Sequence, residues 1–454
     1  MNTLLWFVVL YWIISVGIGI YAARRVKNSK DFAVAGRALP MYVVTATVFA
    51  TWFGSETVLG ISSTFVKEGL RGVISDPFGS SLCLVLVGLF FARPLYRMNL
   101  LTIGDFFRNK YGRTVEVLIT LCIVVSYLGW VAAQIKALGL VFSVVSGGMW
   151  SVAITDFLQM IIIVIGMLYI GWEVSGMTGG VGVVIQHASD AGKLNLWPEP
   201  TGREILWFIA AWITMMLGSI PQQDVFQRVA SSKNEKIAGN ASVLGGVLYF
   251  CFAFIPMFLA YSATLIDPKM VSELIDVDPQ LILPTLIMTQ VPVFAQVMFF
   301  GALLSAIKSC ASATLLAPSV TFTENILKGM MPNQTDKQFL LTMRIVVVIF
   351  TVIVTSFAMN TEASIFHMVE NAYKVTLVAA FVPLAFGLYW KRATRQGALT
   401  AIALGLSSWL LLEIFSGEEG YWPPQLVGFL FSLGGMLVGS LLTQAQPRQA
   451  TVSH

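Results

Sequence analysis

Charge is what this sequence has least of. Only 11% of its 454 residues are Asp, Glu, Lys or Arg, against roughly 25% in an average soluble domain. Hydrophobic residues make up 56%, and the mean hydropathy is +0.78. Such a composition excludes a soluble globular domain, a disordered chain and a nucleic-acid binder. The 28 basic and 24 acidic residues leave a net charge of +4, too small a surplus to call for an anionic partner. Cysteine and histidine are scarce too. Cys83, Cys122, Cys251 and Cys310 lie in apolar stretches without CxxC spacing, so neither a disulfide framework nor a zinc site is indicated. His187, His367 and the last residue, His454, are scattered. No Ser-His-Asp, Cys-His or HExxH arrangement can be drawn from them, and no enzyme is indicated.

What the chain has in abundance is long apolar runs. A helix needs about 20 apolar residues to cross a bilayer, and runs of that kind fall at about 3–22, 41–65, 76–98, 114–145, 152–174, 206–229, 241–265, 295–327, 339–359, 365–390, 396–415 and 424–443. The expected fold is an all-α integral membrane protein with about twelve spans. The alternation expected of a membrane barrel is absent. The first run has no basic residues before it and Arg24-Arg25 after it, which reads as a retained span rather than a cleaved signal.

Basic residues crowd alternate connections: Arg24, Arg25, Lys27, Lys30 and Arg37; Arg97, Arg108, Lys110 and Arg113; Arg228, Lys233 and Lys236; Lys328 and Lys337; Lys391, Arg392 and Arg395. The connections between them are acidic or neutral, with Asp267, Glu273, Asp276 and Asp278 in one and Glu418 and Glu419 in another. The positive-inside rule then puts the N-terminus outside. One stretch breaks the pattern. Between Arg113 and Arg228 the chain must cross an even number of times, yet only three runs lie there, the first two separated by residues 146–151. A missing span restores every later connection.

Two spans are interrupted. Thr51-Trp52-Phe53-Gly54-Ser55-Glu56-Thr57 and Gly218-Ser219-Ile220-Pro221-Gln222-Gln223-Asp224 put polar and small residues at membrane depth. Unwound backbone is tolerated there only where it is buried or lines a cavity, and a matched pair of broken helices points to a secondary transporter with inverted repeats. The plain alternative is two kinked helices without a site. A third stretch, 301–314, is rich in small and hydroxyl residues. It suits either tight helix packing or coordination of a hard cation by hydroxyls together with freed carbonyls.

Six motifs in order, AGR at 35–37, ATWFGSETVLG at 50–60, TIGDFFRNKYG at 102–112, GGMWSVAITDFLQ at 147–159, PQQDVFQRVASSK at 221–233 and LSAIKSCAS at 304–312, give the chain a resemblance to the sodium/solute symporters, which include proline, sodium–glucose, sialic acid and choline transporters. The resemblance runs from Lys30 onward. It implies a LeuT-like core of two inverted five-helix repeats, one leading helix, two trailing helices and thirteen spans in all. Its fourth core helix belongs between Gly139 and Gly147 and is absent, in agreement with the parity count. The implied organisation is a leading helix and basic loop at 1–40 and a first repeat at 41–174, with the missing span near 140–150. A second repeat at 206–390 follows, then two trailing helices and a short tail at 396–454.

The resemblance also assigns a site. Matched by motif, sodium falls on the carbonyls of Ala50 and Phe53, the carbonyl of Ala306, and the side chains of Ser309 and Cys310. Cys310 puts a thiol where a hydroxyl is expected, a soft and poor ligand for sodium. Asp156 matches a carboxylate near the cation route; a helix-terminal loop residue is the alternative. Candidate solute contacts are Trp52, Ser55, Glu56, Trp130, Gln134, Gln222 and Asp224. Trp52 and Trp130 match aromatic positions of choline-transporting members, where rings attract a quaternary ammonium, whereas Gln222 stands where those members carry a tryptophan. Lys308 sits near the middle of its span, where an ammonium costs at least ~2.5–3.5 kcal/mol. Either a buried partner such as Glu56 or Glu370 explains it, or its titration assists or replaces the cation.

The expected function is sodium-coupled symport of a small organic solute, an amino acid, carboxylate or quaternary amine, by alternating access in a bacterial inner membrane, with sodium as the only cofactor. Three alternatives stand beside it. One is proton coupling through Lys308. Another is a transport-deficient sensor of the same fold, which would need a separate partner because only TQAQPRQATVSH follows the last span. The weakest is a channel, since no filter repeat is visible.

Overall fold

The computed structural model describes residues 24–134, 141–331, 333–358 and 365–445, with positions 6, 10, 13, 14, 17, 18 and 21. Most of the first apolar run, the expected placement of the N-terminus, and the tail with His454 lie outside the described residues. Helix α1 (Met41–Trp52) starts behind Pro40 and stops at Phe53, whose φ of −90° and ψ of 75° leave the helical region. The chain becomes helical again over 56–68, first as a wide turn at Glu56–Ile61 and then as α2 (Ser62–Glu68). Helix α3 (Leu70–Arg97) follows. The short α4 (Ile103–Tyr111) is closed at its start by a reciprocal cap between Thr102 and Asp105.

The rest is a run of long helices: α5 (Arg113–Gln134), α6 (Val141–Met177), α7 (Val181–Asp190), α8 (Gly202–Gly218), α9 (Gln223–Ser231) and α10 (Glu235–Ile266). After them come α11 (Val293–Phe322), α12 (Asp336–Ala358), α13 (Phe366–Tyr389), α14 (Arg395–Phe415) and α15 (Pro424–Ala445). Among the described residues nine helices are long and apolar enough to cross a membrane, and α8 and α9 add a tenth crossing bent by 42°. The expected runs are helical where described, apart from the two breaks. Residues 135–140 lie outside the described residues, and α6, described from Val141, has 37 residues and a length of about 55 Å, well beyond a bilayer core.

The basic connections gather at one end. Leu39 pairs with Ser232, Ser29 Oγ donates to Asp336 at 2.6 Å, and Arg97 pairs with Glu235 at 2.5 Å. Arg113 donates to the carbonyl of Asn325 and Arg395 to Thr114 at 2.8 Å. At the opposite end the amide of Leu70 donates to the carbonyl of Lys193 at 2.8 Å, and Arg203 and Trp207 donate to the carbonyl of Gly420. Helix α6 touches the short helix Ser29–Val34 of the basic end, so it starts there and runs to the opposite end.

Candidate solute and cation site

The first break creates unused carbonyls. Phe53 turns its amide back to Phe49 at 3.0 Å and the chain then leaves the helix. The carbonyls of Ala50 and Phe53 accept no hydrogen bond among the described residues. Against this break pack α6 and α11. Asp156 on α6 is fully buried and accepts from Thr47 Oγ1 of α1 and from Ser309 Oγ of α11 at 2.6 Å. Helix α11 is continuous through Ala306, Ser309 and Cys310, so the freed carbonyls belong to α1, and α11 offers side chains and the second lone pair of a helical carbonyl such as that of Ala306. Two orphan carbonyls, a hydroxyl and a nearby carboxylate form a hard oxygen set that suits sodium. The Cys310 thiol does not belong to it and donates instead to Glu56 Oε1 at 3.4 Å.

Glu56 is the centre of a second cluster. It is 2% exposed and accepts from Trp130 Nε1 at 3.2 Å and from Gln134 Nε2. Ser55 Oγ donates to Gln134 Oε1 at 2.9 Å. No ion pair to Glu56 occurs among the described residues. Four expected solute contacts, Ser55, Glu56, Trp130 and Gln134, therefore form one hydrogen-bonded set. Trp52 joins it through its ring, 6.0 Å from Trp130. A carboxylate whose field reaches Lys308 is that of Asp156. Glu370 lies 3.8 Å from His367.

The second break is arranged differently. Gly218 lies so close to α13 that an added Cβ would meet the carbonyl of Tyr373 at 2.5 Å. That approach lets Thr376 Oγ1 donate to the Gly218 carbonyl at 2.7 Å. Gln222 donates to Ser126 Oγ at 3.0 Å and to Thr376 Oγ1 at 3.3 Å. Asp224 starts α9, where its amide receives help from Tyr127: the amide donates to Tyr127 Oη at 2.9 Å, and the phenol donates to Asp224 Oδ1. Gln222 and Asp224 thus sit at the break as expected but are engaged with α5 and α13.

Sequence reasoning missed Tyr373, Thr376, Thr47, Tyr249 and Asp76. Tyr373 stacks on Trp52 at 6.0 Å with ring planes 8° apart, and its centroid is 5.5 Å from Trp130. Its hydroxyl is buried without a hydrogen-bond partner among the described residues. Tyr249 donates to the buried Asp76 at 2.6 Å and contacts Thr57 Oγ1 at 3.1 Å. Tyr373 lies three residues from Glu370, an intramembrane acid that did attract notice; a tyrosine in an apolar run carries no comparable signal.

A model of the sodium:solute symporter family matches residues 32–140 and 131–405. The chain belongs to the sodium:solute symporter family. Its members are transporters rather than enzymes, and this chain is a multi-pass membrane protein of the class that couples sodium to the symport of a small solute. The high-affinity choline transporter 1 of Caenorhabditis elegans is 26% identical over 456 residues, covering 90% of this chain and 77% of the relative. The human high affinity choline transporter 1 is 27% identical over 461 residues, covering 90% and 76%. Sodium/proline symporter 2 of Staphylococcus saprophyticus is 26% identical, covering 88% and 83%. Among solved structures, a Na+-coupled sialic acid symporter in a substrate-bound outward-open state superposes with a TM-score of 0.83 at 16% identity over 97% of both chains. Mhp1, a nucleobase-cation-symport-1 family transporter, gives 0.57 at 13% identity, covering 91% of this chain and 94% of that one. Those likenesses establish the LeuT-like fold expected from the motifs.

Proposed function

We propose that the chain is a symporter of a small quaternary or tertiary ammonium solute, driven by one sodium ion held at the first break. The carrying observation is the meeting of Trp52, Trp130 and Tyr373 around the buried carboxylate of Glu56. Rings attract an ammonium through their faces, by about 2 kcal/mol or more when desolvated, and Glu56 supplies the counter-charge. Tyr373 offers a phenol to a hydroxyl on the solute and restores the ring that Gln222 does not provide. The choline transporters among the relatives support this class over amino acids and carboxylates. Ala50, Phe53, Ala306 and Ser309 hold the sodium, with Asp156 behind Ser309. The basic end faces the cytoplasm, and the chain resides in a cell inner membrane.

Reconstituted vesicles decide the matter. Labelled choline accumulates under an inward sodium gradient, and the signal vanishes when potassium replaces sodium. Accumulation driven equally by a proton gradient in sodium-free buffer shifts the coupling to Lys308 and Asp156.

A second reading rests on one stretch of the chain. Helices α5 and α6 both start at the basic end and are joined by residues 135–140, outside the described residues. The family match also divides at 131–140. Six residues reach at most about 20 Å, so one crossing of the family pattern is missing between Gln134 and Val152. On this reading the chain binds solute without moving it. Binding of choline to purified protein with no sodium-driven uptake supports it, and uptake refutes it. Reporter fusions after Tyr111 and after Gly180 test the topology directly. Opposite sides fit the path of α6 described above, and the same side means that the missing crossing has inverted the chain after it.

A further inference from the structure

Opposite the basic end lies a cavity of about 580 Å³ that the transport reading does not use. It is roofed by α7 and walled by α6, α10 and the outer half of the first broken helix. Its lining is almost wholly apolar and includes Phe65, Leu70, Gly171, Trp172, Ala188 and Phe254. Trp172 is 72% exposed and its neighbour along the same face, Leu168, 52%. Both belong to a membrane span, so the mouth opens on hydrocarbon rather than on water. A concave apolar space open to the bilayer interior is filled by what surrounds it, and what surrounds it is lipid chains. Of its polar wall residues, Ser175 and Tyr261, Tyr261 is already held by His187 Nδ1 at 3.0 Å.

The rim carries charge. Leu70 and Leu194 line the cavity, and Lys193 directly precedes Leu194. The Lys193 ammonium donates to the Lys67 carbonyl at 2.8 Å. An ammonium at the level where a span ends suits the phosphodiester of a glycerophospholipid.

We propose that this cavity is a lipid site that takes one acyl chain of a phospholipid, with the phosphate at Lys193. Phe65 and Leu70 belong to the outer half of the broken helix and its immediate continuation. The bound chain therefore supports the element that also frames the solute cluster. The site is separate from the sodium and solute positions and needs neither for occupancy.

The test is retention of phosphatidylglycerol by the purified full chain, read by native mass spectrometry, with palmitate in a parallel arm. Gly171→Phe fills the cavity, because an added Cβ there meets only Ile255 at an ordinary 3.7 Å. Ala188→Phe fills it from the roof and guards against misfolding of the first variant; Gly171→Ala leaves the space open. One phospholipid per chain stays bound in the wild type and in Gly171→Ala. Retention weakens about tenfold or more in both filled variants, since a close-packed cavity leaves no room for a chain. Lys193→Ala weakens it by about threefold, as an exposed charge contact does. Equal retention in the filled variants overturns the proposal, and so does retention of palmitate with none of phosphatidylglycerol. Because the readout is bound lipid, a failure of symport leaves it untouched.

Discussion

The two broken helices look alike in the sequence and differ in what happens to their backbone. At the first break the carbonyls of Ala50 and Phe53 have no partner among the described residues, and Asp156 and Ser309 stand beside them. At the second, Thr376 takes the Gly218 carbonyl. The Gln222 amide takes that of Ser219 at 3.1 Å, and the Ile220 amide that of Leu217 at 3.2 Å. Buried carbonyls need partners. A break that supplies its own is a joint, whereas a break that leaves them open is a place for a cation. Unwinding alone is therefore a weak indicator of a site, and accounting for each freed carbonyl is a strong one.

The largest effect that could break this contrast is at Ser309. Ser309→Ala removes one oxygen ligand and the hydroxyl that orients Asp156, and is expected to raise the half-saturating sodium concentration by about tenfold to a hundredfold, ~1.4–2.8 kcal/mol. Sodium-dependent melting of the purified protein measures it. An unchanged sodium response removes the cation from the first break. Next comes Trp52→Ala, expected to weaken choline binding by about tenfold through loss of a ring contact, while Trp52→Phe recovers part of it; isothermal titration in saturating sodium reads both. If the alanine variant binds choline as tightly as the wild type, the rings are core packing only.

A change at the second break sharpens the comparison from the other side. Thr376→Val leaves the Gly218 carbonyl buried and unpaired, at a cost of about 1–3 kcal/mol in stability. Sodium affinity is expected to stay the same. A thermal shift downward with an unchanged sodium curve fits a structural joint; a large change in sodium affinity makes the second break part of the cation site.

Much of this arrangement was legible in the sequence, because hydropathy, charge alternation and breaks are local signals. Span positions follow from apolar runs, and the gathering of basic loops at one end follows from counting Lys and Arg. Ser55 and Glu56 stood out because polar residues at membrane depth need an explanation, and Trp130 and Gln134 because the resemblance to the family placed them at the site. Tyr373 and Thr376 did not, since their importance comes from contacts across more than a hundred residues of chain and neither type is unusual in an apolar helix. The state of the second break was hidden for the same reason. Gly218 reads as a helix breaker, and only its approach to α13 makes it a packing contact.

The smallest expected effect is also the most discriminating, because its sign is opposite to that of ordinary mutations. Cys310 lies one residue from Ser309 and is fully buried, and its thiol is directed to Glu56 at 3.4 Å. Sulfur is a soft donor and sodium a hard cation, so Cys310→Ser adds an oxygen to the set without changing its shape much. Sodium affinity is then expected to rise about fivefold, ~1 kcal/mol. The rise appears as an upward shift of the melting point at fixed low sodium, because a ligand stabilises the folded state by RT ln(1 + [L]/Kd). Potassium at the same ionic strength controls for general salt effects. A hydroxyl that instead stays on Glu56 leaves the sodium curve where it was, and the thiol is then part of the solute cluster alone. That outcome limits the cation to Ala50, Phe53, Ala306 and Ser309, and makes residue 310 the divide between the two clusters that meet at the first break.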